Sequence, residues 1–206
     1  SQPMIESEFS CGAYVRSRIS RLLGSDPATL RPTARAALAQ LRQAATSAPG
    51  TAPGVWPYTA EGIPSAMSES RYQQVEQAIH IALTQFAVHQ QARGQSMHDP
   101  RQSFGRAVRK LADIQAGTGE PHETPVYQRF TAMAQTTSVT ALVTHARGII
   151  TQLRTQEIPF DYGRYADDLY LFQIPGRARD VQRHWGRDFH RLSTATVSHH
   201  EGASPS

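Results

Sequence analysis

Apolar residues recur at helical spacing through most of the chain, and no segment alternates long enough to read as a strand. The cleanest stripe is Val139, Leu142, Val143, Ala146, Ile149, Ile150 and Leu153, which predicts a helix over 138–155 with one face in a core. A second stripe, Phe104, Ala107, Val108, Leu111, Ile114 and Gln115, predicts a helix whose opposite face carries Arg106, Arg109, Lys110 and Asp113. The segment 72–92 differs from both, because it holds no Lys or Arg and a single acid, Glu76. Its main stripe is Ile79, Ala82, Leu83 and Phe86, with Ile81 and Val88 on the far side, so it reads as a central helix covered on two faces. His80 and His89 lie within it and point in different directions, which argues for hydrogen-bonded structural histidines and against a shared metal.

The flanking segments follow the same rule. Phe9, Ala13, Ile19 and Leu23 predict a first helix stopped by Gly24, with Arg16, Arg18 and Arg21 toward solvent. Asp26-Pro27 reads as an N-cap followed by a first-turn proline, and Pro32 redirects the chain into an Ala-rich helix over 33–45 with Leu38 and Leu41 inward. Arg35 and Arg42, seven residues apart, share a face of that helix. Thr124-Pro125 starts a helix with Val126, Phe130 and Met133 inward and Arg129 on its flank, and Arg147 and Arg154 flank the 138–155 stripe. Asp161 caps a helix that buries Tyr162, Tyr165, Ala166, Leu169 and Phe172, with Asp167 and Asp168 expected on a solvated acidic face. Pro175 opens a last helix with Ala178, Val181, Trp185, Phe189 and Leu192 inward. Its outer face is a ridge of Arg179, Arg183, Arg187 and Arg191, in which Asp180 and Asp188 each offset an Arg three residues on.

Three connectors organise these helices. Gly94 is expected to end the central helix in a left-handed conformation and Ser103 to cap the next, which makes the intervening GQSMHDPRQ a tight polar turn that brings Arg93 and Arg101 beside Arg106 and Arg109. Residues 47–70 contain four prolines and three glycines and read as a long loop pinned to the surface by Trp56, Pro57, Tyr58 and Ile63, with Trp56 a packed anchor in preference to a base-stacking platform. The polar stretch 116–123 divides the chain. The expected fold is therefore all-α, a bundle of about eight helices in two small lobes, 5–115 and 124–195, with a disordered tail over 196–206.

Composition narrows the function. With 39% hydrophobic residues in 206, one cysteine (Cys11), no apolar run long enough to span a bilayer and no apparent secretory signal, a cytoplasmic protein free of disulfides and off the membrane is expected. Ser1 to Pro3 precede Met4 and are left out of the reading. Twenty-one basic against seventeen acidic residues give +4, and all the basic residues but Lys110 are Arg, whose planar fork grips phosphate or carboxylate in two places. A coding bias toward Arg would leave the same mark.

No Gly-rich phosphate loop, paired-carboxylate motif, zinc spacing or nucleophile elbow is present, so neither an enzyme nor a metal or other cofactor is expected. Two readings remain. One is a nucleic-acid-binding subunit of a larger machine, and the other is a helical interaction module whose Arg faces meet acidic proteins.

The blocks RAALAQLRQAATSAPGTAPGVWPYT, FAVHQQARGQSMHDPRQSFGRAVRKLA, IPFDYGRYADDLYLFQ and VQRHWGRDFHR, in that order and at similar spacing, resemble the CasB family, the small subunit of the type I-E CRISPR Cascade complex. The resemblance runs from about Arg35 to Arg191 and contains no catalytic signature. It implies an all-helical, non-catalytic protein paired with a second copy of itself and with other Cascade subunits. Such a protein would lie along CRISPR RNA and target DNA, including the displaced strand, in antiviral defence. The residues put forward to touch nucleic acid are Arg35, Arg42, Arg93, Arg101, Arg106, Arg109, Lys110, Arg129, Arg147 and Arg154.

Overall fold

The computed structural model describes residues 9–191, and in it the long, charge-poor segment 72–92 lies largely in the helix against which most others pack. The helices are α1 (Cys11–Leu23), α2 (Pro32–Gln43), the single turn α3 (Trp56–Thr59), α4 (Glu69–Gln90), α5 (Phe104–Ala116), α6 (Pro125–Gln135), α7 (Val139–Thr155), α8 (Tyr162–Phe172) and α9 (Ala178–His190). The fold is all-α as expected, with nine helices among the described residues. The one β-type pairing there is an isolated parallel bridge between His98 and Phe160. Side-chain caps fix most helix starts: Ser10, Ser68, Ser103, Thr124, Ser138 and Asp161 each accept a backbone N–H from the first turn.

From Ala78 to Gln90 only Val88 of α4 escapes full burial, because α1, α2, α3, α7 and α8 all lie against this helix. Each of its histidines is held through one ring nitrogen, while His80 Nδ1 and His89 Nε2 are buried without a hydrogen-bond partner among the described residues. His80 Nε2 lies 3.2 Å from the carbonyls of both Ala44 and Ser47, and His89 Nδ1 lies 2.8 Å from the Tyr162 hydroxyl. The two histidines thus serve separate structural contacts. Among the described residues, no three His, Cys, Asp or Glu side chains are grouped to hold a metal, and no helix is long and apolar enough to cross a membrane.

Residues 116–123 separate α1–α5 from α6–α9 along the chain, and in space helices from the two sides pack together. α8 lies on α1 and α4, α9 lies on α5, and all contribute to one continuous apolar cluster. At its centre Phe104 meets Phe130, Phe160, Tyr165 and Trp185 at ring-centroid distances of 5.0–5.9 Å. Two pairings are tight because glycine faces backbone. A Cβ on Gly12 of α1 would stand 2.8 Å from the Gly163 carbonyl of α8, and one on Gly105 of α5 would stand 2.7 Å from the Trp185 carbonyl of α9.

Several local expectations need correction. In α1 the buried stripe is Cys11, Val15, Ile19 and Leu22, while Ala13 is exposed. Asp26 and Pro27 form a turn closed on the Asp26 carboxylate, and Pro32 itself begins the next helix. After α4 the left-handed residue is Ala92, at φ 56°, and not Gly94. The segment after it is no simple polar turn: Met97 is buried, and its carbonyl and the Asp99 N–H pair with Phe160 in a strap between the ends of α4 and α8. Asp167 and Asp168 diverge, yet neither belongs to a solvated face. Asp167 caps α1 by accepting the Gly12 N–H at 2.8 Å, and Asp168 lies 9% exposed against α9. The 47–70 loop is pinned by buried Val55, Thr59, Ile63 and Met67, whereas Trp56 is 46% exposed. Leu192 and the tail over 196–206 lie outside the described residues.

Candidate nucleic-acid interface

Helical spacing puts Arg35 and Arg42 on one face of α2, and the turn that ends α4 brings Arg93 up to that face. The three line a groove of about 390 Å³ whose other walls include Pro27, Leu30, Gln91 and Gly94. Arg35 reaches the Leu30 carbonyl at 3.5 Å, and Arg42 has no hydrogen-bond or ion-pair partner among the described residues, so its donors stay available. Arg93 pairs with Glu157 at 3.1 Å; the Glu157 side chain is 68% exposed, so the pair holds Arg93 only weakly. Arg154 enters from α7, where its Nε donates to the Gln91 carbonyl at 2.7 Å, and it stands beside the same turn.

Gln90 shapes this turn, and its role escaped the sequence reading. Its amide oxygen accepts the Met97 N–H at 2.8 Å while its amide nitrogen donates to the Arg93 and Gln95 carbonyls. Nothing singled it out in the sequence, because the same helix also holds Gln73, Gln74, Gln77 and Gln85.

The other candidates stand elsewhere. Arg101 is held in a two-pronged pair with Asp99, its neighbour in the strap, at 3.0 and 3.1 Å. Arg106 and Arg109 point from α5 to the C-terminal end of α9: Arg106 bonds the carbonyls of Asp188 and Arg191, and Arg109 donates to the Phe189 carbonyl at 3.0 Å with its guanidinium 5.4 Å from the Phe189 ring centroid. Helix C-termini expose carbonyls that a cation caps, which accounts for the half-buried state of both side chains. Lys110, by contrast, is exposed and has no partner among the described residues. Arg129 lies directly over Gly148 of α7. Arg147 lines a separate groove of about 520 Å³ between α4, α7 and the Ala45–Pro49 segment. On α9, Arg179, Arg183, Arg187 and Arg191 are all exposed or partly exposed, as the spacing predicts; Asp180 pairs with Arg183, but Asp188 turns to Arg164 of α8.

Taken together, these features define an all-helical protein in which some cationic side chains cap its own helix ends, some line open grooves and others stand on the exposed surface. The chain belongs to the CRISPR-associated Cse2 family, whose model matches residues 37–190. It is similar to CasB from Thermobifida fusca, with 32% identity over 88% of this chain and 98% of that one and a TM-score of 0.69. A Cse2-family CRISPR-associated protein from Thermus thermophilus shares the fold at 22% identity and TM-score 0.65, covering 88% of this chain and 98% of its own. So does a chain of a CRISPR RNA-guided surveillance complex, at 21% identity and TM-score 0.60 over 93% and 96% of the two chains. No curated protein sequence matches significantly. The resemblance carried by the four sequence blocks is thus confirmed.

Proposed function

We propose that this chain is the non-catalytic small subunit of a type I-E surveillance complex. In the bacterial cytoplasm it would work beside other Cascade subunits and a second copy of itself, holding CRISPR RNA and target DNA, including the displaced strand. Membership of the Cse2 family supports the assembly. The observation that carries the binding role is the groove in which Arg35, Arg42 and Arg93 converge from α2 and the end of α4, with Arg154 at its edge. Guanidinium groups in an open groove suit a phosphate backbone running past, and such contacts position a strand without reading its sequence. Lys110 adds a free charge on α5. Arg106 and Arg109, half-buried against the carbonyls of α9, serve the fold first.

Filter retention of single-stranded DNA against salt tests this reading. Removing two phosphate contacts in Arg35→Ala/Arg42→Ala should lower the salt slope by roughly 1.4, with unfolding unchanged. A double variant with the wild-type slope moves the site away from this groove.

A further inference from the structure

Trp56 and Ile114 are the large hydrophobic side chains left exposed among the described residues, and Trp56 is held still. Its indole N–H donates to the Gly50 carbonyl at 2.9 Å, and its chain neighbour Val55 and nearby Thr59 are buried. The ring forms one wall of a groove of about 750 Å³ whose other walls are Pro49, Pro53 and Pro57, with Glu61 and Glu76 also lining it. Neither carboxylate has a hydrogen bond or ion pair among the described residues; Arg18 donates to the Glu61 main-chain carbonyl and the Tyr14 hydroxyl, and not to the Glu61 side chain. Glu76 sits against Gly50, where a Cβ would stand 2.7 Å from its Oε1, so glycine is what opens this corner.

On a chain of net charge +4 this is a local reversal of sign. Two carboxylates repel a phosphate backbone, while an aromatic face flanked by carboxylates attracts a cation from both directions. Proline walls and a tethered indole lose little freedom on binding, which favours a partner that arrives as an extended segment. The groove shares no lining residue with the Arg35–Arg42–Arg93 groove, so both can be filled at once. We propose that it docks a basic segment of another polypeptide, setting an Arg or Lys side chain over Trp56 between Glu61 and Glu76.

The test uses the full chain and a fluorescein-labelled, end-capped hexapeptide of alternating arginine and alanine, titrated by anisotropy beside its citrulline counterpart. The arginine peptide should saturate, and citrulline, Trp56→Ala and Glu61→Gln/Glu76→Gln should each weaken binding by roughly threefold to tenfold. Single-stranded DNA retention should stay at the wild-type level in both variants. Should Trp56→Ala disturb folding, the Glu61→Gln/Glu76→Gln pair, at one exposed and one half-buried position, carries the result alone. Peptide affinity that survives both variants overturns the proposal. So does loss of DNA retention in Trp56→Ala, which makes the ring a base platform, or self-association in sedimentation that either variant abolishes, which makes the groove a contact between copies.

Discussion

The Asp168 carboxylate accepts the Trp185 indole N–H at 2.8 Å, so the largest side chain in the core is tied by its one polar atom to the helix it packs against. The other Asp168 oxygen lies 2.7 Å from His184 Nε2, which joins two adjacent residues of α9 to a single position on α8. Trp185→Ala removes the ring and leaves that carboxylate half-paired, at an expected cost of about 3 to 5 kcal/mol. Trp185→Phe keeps most of the contact and loses only the hydrogen bond, about 1 to 2 kcal/mol. Urea unfolding separates the two, and a Trp185→Ala protein as stable as wild type would contradict the packing.

Stability should respond to pH in two opposed ways. The hydrogen bond to Asp168 raises the His184 pKa above its ordinary 6.5, so its contribution is complete below 6.5 and fades as pH rises through the raised value. Burial lowers His89 to about 3, so its contribution is complete above 6.5 and fades as pH falls. For His89 the loss is about 1.4 kcal/mol per pH unit below the unfolded value. Melting curves should show the His184→Gln deficit shrinking on the alkaline side, and His89→Gln should flatten the acid limb.

Neighbouring cations on α5 should separate folding from binding. Arg109→Ala strips a cap from the α9 C-terminus and is expected to cost about 1 to 2 kcal/mol. Lys110→Ala should leave unfolding unchanged and lower the salt slope of DNA retention by about one. Equal behaviour of the two in both assays would refute the division of roles.

Gly105→Ala would place a methyl group against the Trp185 carbonyl and the Asp188 Cβ, at 2.7 and 2.8 Å. Backbone cannot rotate away as a long side chain can, so α5 and α9 must part, at a cost of about 1 to 3 kcal/mol. Chemical denaturation measures it, and a neutral result would mean the two helices are looser than their spacing.

Helix positions were legible wherever a stripe sits between a cap and a breaker. Ser138 and the seven apolar residues of α7 are the clearest case, and Asp161 before α8 is another. Roles that depend on a distant partner were not. Nothing near Arg106 or Arg109 announces that their donors meet carbonyls about eighty residues later; the bond from Asp167 to α1 spans 155 positions, and that from Asp168 to α9, though only 17 positions long, crosses between helices. Of the candidate site, the Arg35–Arg42 pairing followed from seven-residue spacing, and the arrival of Arg93 depended on a turn whose left-handed residue is Ala92 where glycine was expected. Trp56 was misjudged because composition favours buried tryptophan, and the loop's buried pins proved to be smaller residues beside it.

The bond from the Gly12 N–H to Asp167 also orders events during synthesis. The first described helix finds the carboxylate that caps it only 155 positions further along. At roughly 5 to 20 residues per second, a ribosome needs on the order of ten to thirty seconds to deliver that partner. Until then the side of α1 that α8 will occupy, at Gly12 and Arg16, stays open while α4 can already pack on another side, and a chain cut short before Tyr162 keeps it open.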